Sequence, residues 1–225
     1  NRDRNPQDTY TFNTDKQPLG KDDLKFATNQ IYTIYKDGSV ELQSAISSNR
    51  PSVVLPRIGY AMKLPKTYTT FDYYGRGPVN NYNDRKTGQF IEHHRGIVGK
   101  QDIILPKPQS MGNREEVRWC ALSESGKPAV VFVADDNMSV SALPWSAQQL
   151  TLTAHANELP ASDGTYLHLD AKVTGLGGAS CGQGGPLSPD RAYACNYNFG
   201  FVIRLAAGAG NDAMLKAARV SLAGE

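Results

Sequence analysis

Apolar and polar residues alternate along this chain in short runs, and turn residues separate the runs. Gln30-Ile31-Tyr32-Thr33-Ile34-Tyr35 alternates, Lys36-Asp37-Gly38 follows, and Ser39-Val40-Glu41-Leu42 alternates again. Asp-Gly between two alternating runs predicts a β-hairpin, because the tight turn needs residues that tolerate positive φ. Tyr166-Leu167-His168-Leu169-Asp170 and Phe199-Gly200-Phe201-Val202-Ile203 show the same period of two. Further strands are predicted over 58–64, 69–74, 89–94, 117–122, 129–134, 139–143, 165–173 and 198–205. Asp135-Asp136-Asn137 reads as a turn between two of them. Helix is predicted only near 146–150 and in the tail over 211–222, where Asn211 or Asp212 supplies a cap. Many strands at short spacing, without alternating helices, specify an antiparallel sandwich rather than a βαβ fold. Residues 1–25 are polar with scattered charge and read as a weakly structured leading segment with one short strand at 9–12. Residues 26–225 read as one domain.

Composition narrows the function classes. A chain of 225 residues buries a sizeable core without disulfides or metals. Twenty-four Lys and Arg against 22 Asp and Glu leave a net charge of +2, which makes no electrostatic case for nucleic acid or a membrane surface. No apolar run is long enough to span a bilayer. The opening Asn1-Arg2-Asp3-Arg4-Asn5 carries neither an initiator Met nor an apolar leader, as expected of a start inside a longer protein. The compartment stays open. Of the three Cys, none forms a CxxC pair. Cys120 lies in the apolar run Val117-Arg118-Trp119-Cys120-Ala121-Leu122 and is predicted to act as a small buried hydrophobe. Cys181 and Cys195 flank a Gly/Pro-rich loop, and whether they pair is left open.

Candidate chemistry is sparse. Glycoside cleavage needs two carboxyl groups on opposite sides of a glycosidic bond. Glu115 and Glu116 are neighbours, so on a strand they diverge. Asp135 and Asp136 belong to the expected turn, and Glu92 reads as a surface residue. His93 and His94 diverge likewise, and the four His supply no metal set. No G-x-S-x-G elbow is present. The glycines near 177 and 184 make no phosphate loop, because no Lys-Ser/Thr follows them. Two segments stand out instead. Residues 73–86 interleave Tyr and Arg with Gly, Pro, Asn and Asp, a compact loop whose Arg and Asp are expected to pair and whose Tyr rings are expected to cover the sheet edge. Residues 175–186 are mostly side-chain-free backbone between two strands, a form of loop that often serves function.

The motifs carry a resemblance. Leu55-Pro56-Arg57-Ile58-Gly59, Tyr74-Gly75-Arg76-Gly77-Pro78 with Asn81-Tyr82 and Asp84-Arg85-Lys86, and Pro108-Gln109 with Gly112-Asn113-Arg114 and Val117-Arg118-Trp119 occur in order. Together with Ser141-Ala142-Leu143-Pro144 and the glycine loop, they resemble the last domain of family 2 β-galactosidases. The resemblance implies an all-β, large antiparallel supersandwich similar to galactose mutarotases. It implies no catalytic residue in this chain, because the family's acid/base and nucleophile Glu sit on a TIM barrel earlier in the protein; no metal and no cofactor are expected here either. That barrel is the implied partner, and a galactoside is the implied substrate of the intact enzyme. The family's last domain lends a loop to the sugar pocket, which carries over to Gly177, Gly178, Ser180, Cys181 and Gly182. Some members place a stacking Trp where Cys181 stands. Two alternatives remain. One is a free-standing sugar-binding module, although Trp119 and Trp145 both lie in apolar context. The other is an aldose 1-epimerase, for which His155 and Glu158 are the candidate acid and base.

Overall fold

Among the described residues, a large sheet that branches into two layers and a separate two-stranded ladder build the molecule. The computed structural model describes residues 20, 22–109, 111–178, 184–208 and 211–219. The alternating runs become β1 (Phe26–Ile34) and β2 (Val40–Ser48), paired antiparallel from Ile34↔Val40 to Phe26↔Ser48. Their turn is the expected one: Asp37 Oδ1 accepts the Ser39 amide at 2.9 Å, and the Tyr35 amide donates to the Ser39 carbonyl at 2.9 Å. The chain continues through β3 (Val54–Leu55), β4 (Arg57–Leu64), β5 (Thr70–Gly77), β6 (Phe90–Ile97) and β7 (Arg114–Ser123). After β8 (Val130–Leu143) come helix α1 (Ala147–Leu152), β9 (Thr165–Val173), β10 (Ala192–Tyr193), β11 (Tyr197–Leu205) and helix α2 (Asn211–Arg219). All pairings among the described residues are antiparallel. The expected strand at 9–12 lies outside the described residues. The pairing of β3 with β10 went unread, because two-residue strands carry no period.

The main sheet runs β1-β2-β11-β8-β7-β5-β6, with β9 and then β4 branching from β8. Strand β8 makes the branch. Its first half pairs with β11 through Val130 to Ala134, and its second half pairs with β9 through Ser139 to Leu143. The expected turn at Asp135–Asn137 is therefore not a turn: β8 is continuous, and these residues form an exposed bulge within it. Between the pairs Trp119↔Val133 and Val117↔Met138, β8 has four residues where β7 has one. Such an insertion bends a strand from one layer into another. The facing bulge on β7 contains Glu116, at φ 56°. Beyond the corner, β4 and β9 fold over β2 and β11. There Tyr60 rings against Phe199 (6.2 Å) and Phe201 (5.7 Å), and its hydroxyl bonds Gln30 Nε2 at 2.8 Å and Ser44.

The continuous apolar stretches of β7 and β8 follow from burial on both faces. Cys120, Leu122 and Phe132 point into the sandwich with Leu167, Leu169 and Phe201. Trp119, Ala121 and Val131 point outward beneath Met214 of α2. Cys120 is fully buried, as expected, and burial drives its thiol pKa upward, so it packs as a hydrophobe. Ser146 caps α1 reciprocally with Gln149: its Oγ accepts the Gln149 amide at 3.1 Å and its own amide donates to Gln149 Oε1 at 2.8 Å. Leu150 of this helix closes one end of the molecule against Met111 and Leu143.

Candidate functional site

The two segments singled out by composition meet. Residue Asn81 starts the assembly. It is fully buried, its Nδ2 donates to the carbonyls of Arg76 (2.9 Å) and Val79 (3.0 Å), and its Oδ1 accepts the Glu115 amide at 2.8 Å. Asn113 Nδ2 in turn donates to the Asn81 carbonyl at 2.9 Å and to Glu115 Oε1 at 2.6 Å. Buried Arg114 spans from the Tyr73 hydroxyl (3.0 Å) to Asp102 (3.1 Å). Buried polar groups need partners, and most of these find them in one another between the start of β7 and the loop after β5, the exception being Asn113 Oδ1. Glu116 holds the outside of the same loop, at 3.0 Å from Arg76 and 3.1 Å from Lys86. The loop's own Arg and Asp do not pair with each other as expected: Arg76 pairs with Glu116, while Arg85 and Asp84 turn to the backbone of residues 176 and 177. The tyrosines also differ from expectation: Tyr73 and Tyr82 are buried in the interior rather than covering an edge, and burial raises both their pKa values, Tyr82 to about 12.

On this base a tight turn projects. The Arg85 amide donates to the Tyr82 carbonyl at 2.8 Å, which presents Asn83 and Asp84 at the tip. Asp84 accepts the amides of Leu176 (3.1 Å) and Gly177 (2.7 Å), and Arg85 donates to the Gly177 carbonyl at 2.8 Å. Asn83 donates to Asp190 Oδ1 at 2.8 Å, and the Asp190 carbonyl accepts the Gly175 amide at 2.8 Å. Arg191 Nε donates to the Pro186 carbonyl at 2.8 Å. Both stems of the glycine loop are therefore gripped. Glycine is required by this closeness: a Cβ on Gly175 would come within 2.5 Å of the Asp84 carboxylate, and Gly177 sits at φ +83° with a virtual Cβ 2.7 Å from the Gly184 carbonyl. A groove lies along the grip, lined by Asp84, Arg85, Gly177, Gly178, Gly184 and Gly185.

Of the expected loop residues, Gly177 and Gly178 lie at this stem, and Ser180, Cys181 and Gly182 lie outside the described residues. Cys195 is an exposed free thiol beside Tyr197. His155 and Glu158 occupy an exposed 3₁₀ turn, where the Glu158 carboxylate accepts the His155 amide at 3.1 Å. Glu115 and Glu116 diverge, and Glu92 is exposed. His93 and His94 also part: His93 reaches Asp72 at 3.2 Å and lies against Trp119, while His94 lies against Tyr73. Among the described residues no three His, Cys, Asp or Glu converge as metal ligands. Sequence reasoning missed one polar cluster. Asp170 is buried 2.8 Å from Arg57, and His168 lies on the same strand, two residues before it. Burial pushes Asp170 up to about 7 despite Arg57, and burial with the Arg57 charge lowers His168 to about 4. The Asp84 brace was missed as well. The glycines and the Asp-Arg pair were each visible, but nothing in the sequence linked positions 84 and 177.

The fold and the brace define an all-β sandwich domain that holds a backbone loop at one end. The chain belongs to the β-galactosidase small-chain family, whose model matches residues 2–203. Similar proteins named β-galactosidase come from Priestia megaterium, 31% identical over 147 residues, and Lactobacillus delbrueckii subsp. bulgaricus, 32% identical over 156 residues. These alignments cover 65% and 69% of this chain but only 14% and 15% of the respective relatives.

Proposed function

We propose that this chain is the C-terminal, mutarotase-like sandwich domain of a family 2 β-galactosidase acting on terminal β-galactosides. Residues 26–225 form the domain, and 1–25 lead into it. The domain is non-catalytic: the acid/base and nucleophile belong to a TIM barrel elsewhere in the parent, which this domain supports. Its contribution to the sugar pocket is the loop over 175–186, with Gly177, Gly178, Ser180, Cys181 and Gly182 nearest the ligand. The observation that carries this reading is the grip of Asp84 and Arg85 on Leu176 and Gly177. It spends two side chains of a family motif on holding glycine backbone in place. The small share of its relatives' length that the chain covers agrees with a supporting role.

Two experiments test this. Purified chain given a chromogenic β-galactoside is expected to show no turnover; activity above buffer that survives repurification overturns the non-catalytic assignment. In the intact enzyme, Cys181→Trp is expected to lower KM. An aromatic face contributes on the order of 1 kcal/mol against an apolar sugar face, or roughly fivefold. Unchanged KM and kcat in that variant would remove the loop from the pocket.

A further inference from the structure

We infer that Asp84 is a positioning residue for galactoside binding, acting through the backbone of Leu176 and Gly177. The inference rests on the proposal that this loop borders the sugar pocket. Asp84 contacts the loop stem with both carboxylate oxygens, one on the Leu176 amide and one on the Gly177 amide. Two acceptors on adjacent amides set the direction of the chain as well as its place, because each bond is lost if the peptide plane rotates. Arg85 takes the carbonyl of Gly177 from the same turn, so three backbone polar atoms of the stem are held by two neighbouring side chains.

The holder is itself rigid. Tyr82, at the base of the turn, is buried, and Asn81 before it is locked by four hydrogen bonds to backbone. The returning stem is tied to the same turn through Asn83 and Asp190. Gly175 packs so close to the Asp84 carboxylate that the stem has no room to shift toward it. The outgoing stem is thereby fixed on the side where Gly177 and Gly178 line the groove. A site held this way binds ligand without first ordering its own backbone, and loosening it raises the ordering cost at binding. That cost falls equally on bound substrate and transition state, so it enters KM rather than kcat.

The test uses the intact β-galactosidase carrying Asp84→Ala or Asp84→Asn, with KM, kcat and the thermal midpoint measured on an aryl β-galactoside. Asp84→Ala is expected to raise KM roughly tenfold with kcat within about twofold. Asp84→Asn keeps one acceptor and is expected to recover part of the loss, with KM raised roughly threefold. A purely structural role would lower the midpoint and the amount of active enzyme without this split or this graded recovery. If Asp84→Ala fails to fold, Asp84→Asn decides alone, and wild-type KM in folded Asp84→Asn enzyme overturns the inference. Should Cys181→Trp shift KM while neither Asp84 variant does, the loop borders the pocket but Asp84 does not position it. Should none of the three shift KM, the pocket assignment fails together with the inference.

Discussion

Asp170 and His168 lie two residues apart on β9, and their protonation is perturbed in opposite senses. Burial raises Asp170 from 3.8 to about 7, with Arg57 opposing the rise. In the folded state it keeps a proton that the unfolded chain releases. Its contribution to stability is complete below about pH 4 and is lost as pH rises through 7. Burial, then the Arg57 charge, lowers His168 from 6.5 to about 4. There the unfolded chain takes the proton first, so the contribution is complete above about pH 6.5 and is lost as pH falls toward 4. The two slopes oppose each other across one window. Asp170→Asn should therefore gain in thermal midpoint relative to wild type as pH rises from about 4 to 7, and His168→Gln should gain as pH falls over the same range. Midpoints that track wild type in parallel for either variant would show that its pKa is not perturbed as described. Neither perturbation was legible in the sequence, which shows Tyr166-Leu167-His168-Leu169-Asp170 as a simple alternation with polar residues outward. The polar face of β9 is instead covered at Asp170 by Arg57 from β4 and by β8.

At the scale of the element, the paired bulges of β7 and β8 turn one sheet into two layers. The loop of residues 78–89 is fastened to that corner, since Glu116 carries both the left-handed backbone of the bulge and the ion pairs to Arg76 and Lys86. The hydrogen bond from Arg76 is the main reason that the Glu116 pKa is lowered, against a smaller effect of burial. A lowered pKa means stability present above the unfolded value of 4.5 and lost as pH falls through the folded one. Glu116→Ala should cost about 1 kcal/mol near pH 7, the upper end for partly exposed pairs, and less in acid. Glu116→Gly should be more stable than Glu116→Ala, because alanine resists positive φ and glycine does not. Urea unfolding of the two variants checks the order, and Ala above Gly would deny the left-handed backbone. Strand existence was legible here, and strand continuity was not. Asp135-Asp136-Asn137 has the composition of a turn whether it ends a strand or bulges from one, and only the partners of β8 on each side separate the cases.

For the whole molecule, burial grades from the middle of the sheet to its edge. β7 and β8 are covered on both faces, whereas every residue of β1 is exposed, including Ile31, Tyr32 and Ile34. Local opening follows such gradients. Amide hydrogen exchange should accordingly be slowest in Cys120, Leu122, Phe132 and Leu167 and fastest among ordered strands in β1. Equal protection in β1 and β8 would mean that the edge is covered in solution.

Period-two alternation, an Asp-Gly turn and ordered motifs are local properties, so the sequence alone determined the antiparallel β class, most strand positions, a helical turn near 146–150 and the family resemblance. The glycine loop and the signature loop were visible as unusual segments for the same reason. Their meeting was not, because Asp84 and Gly177 are 93 positions apart and hydrogen-bond only once β5, β7 and β9 are packed. The split of the sheet at β8 and the buried carboxyl groups of Asp170 and Glu115 likewise arise from which strands lie beside which, and pairing across long sequence distances leaves no trace in local pattern.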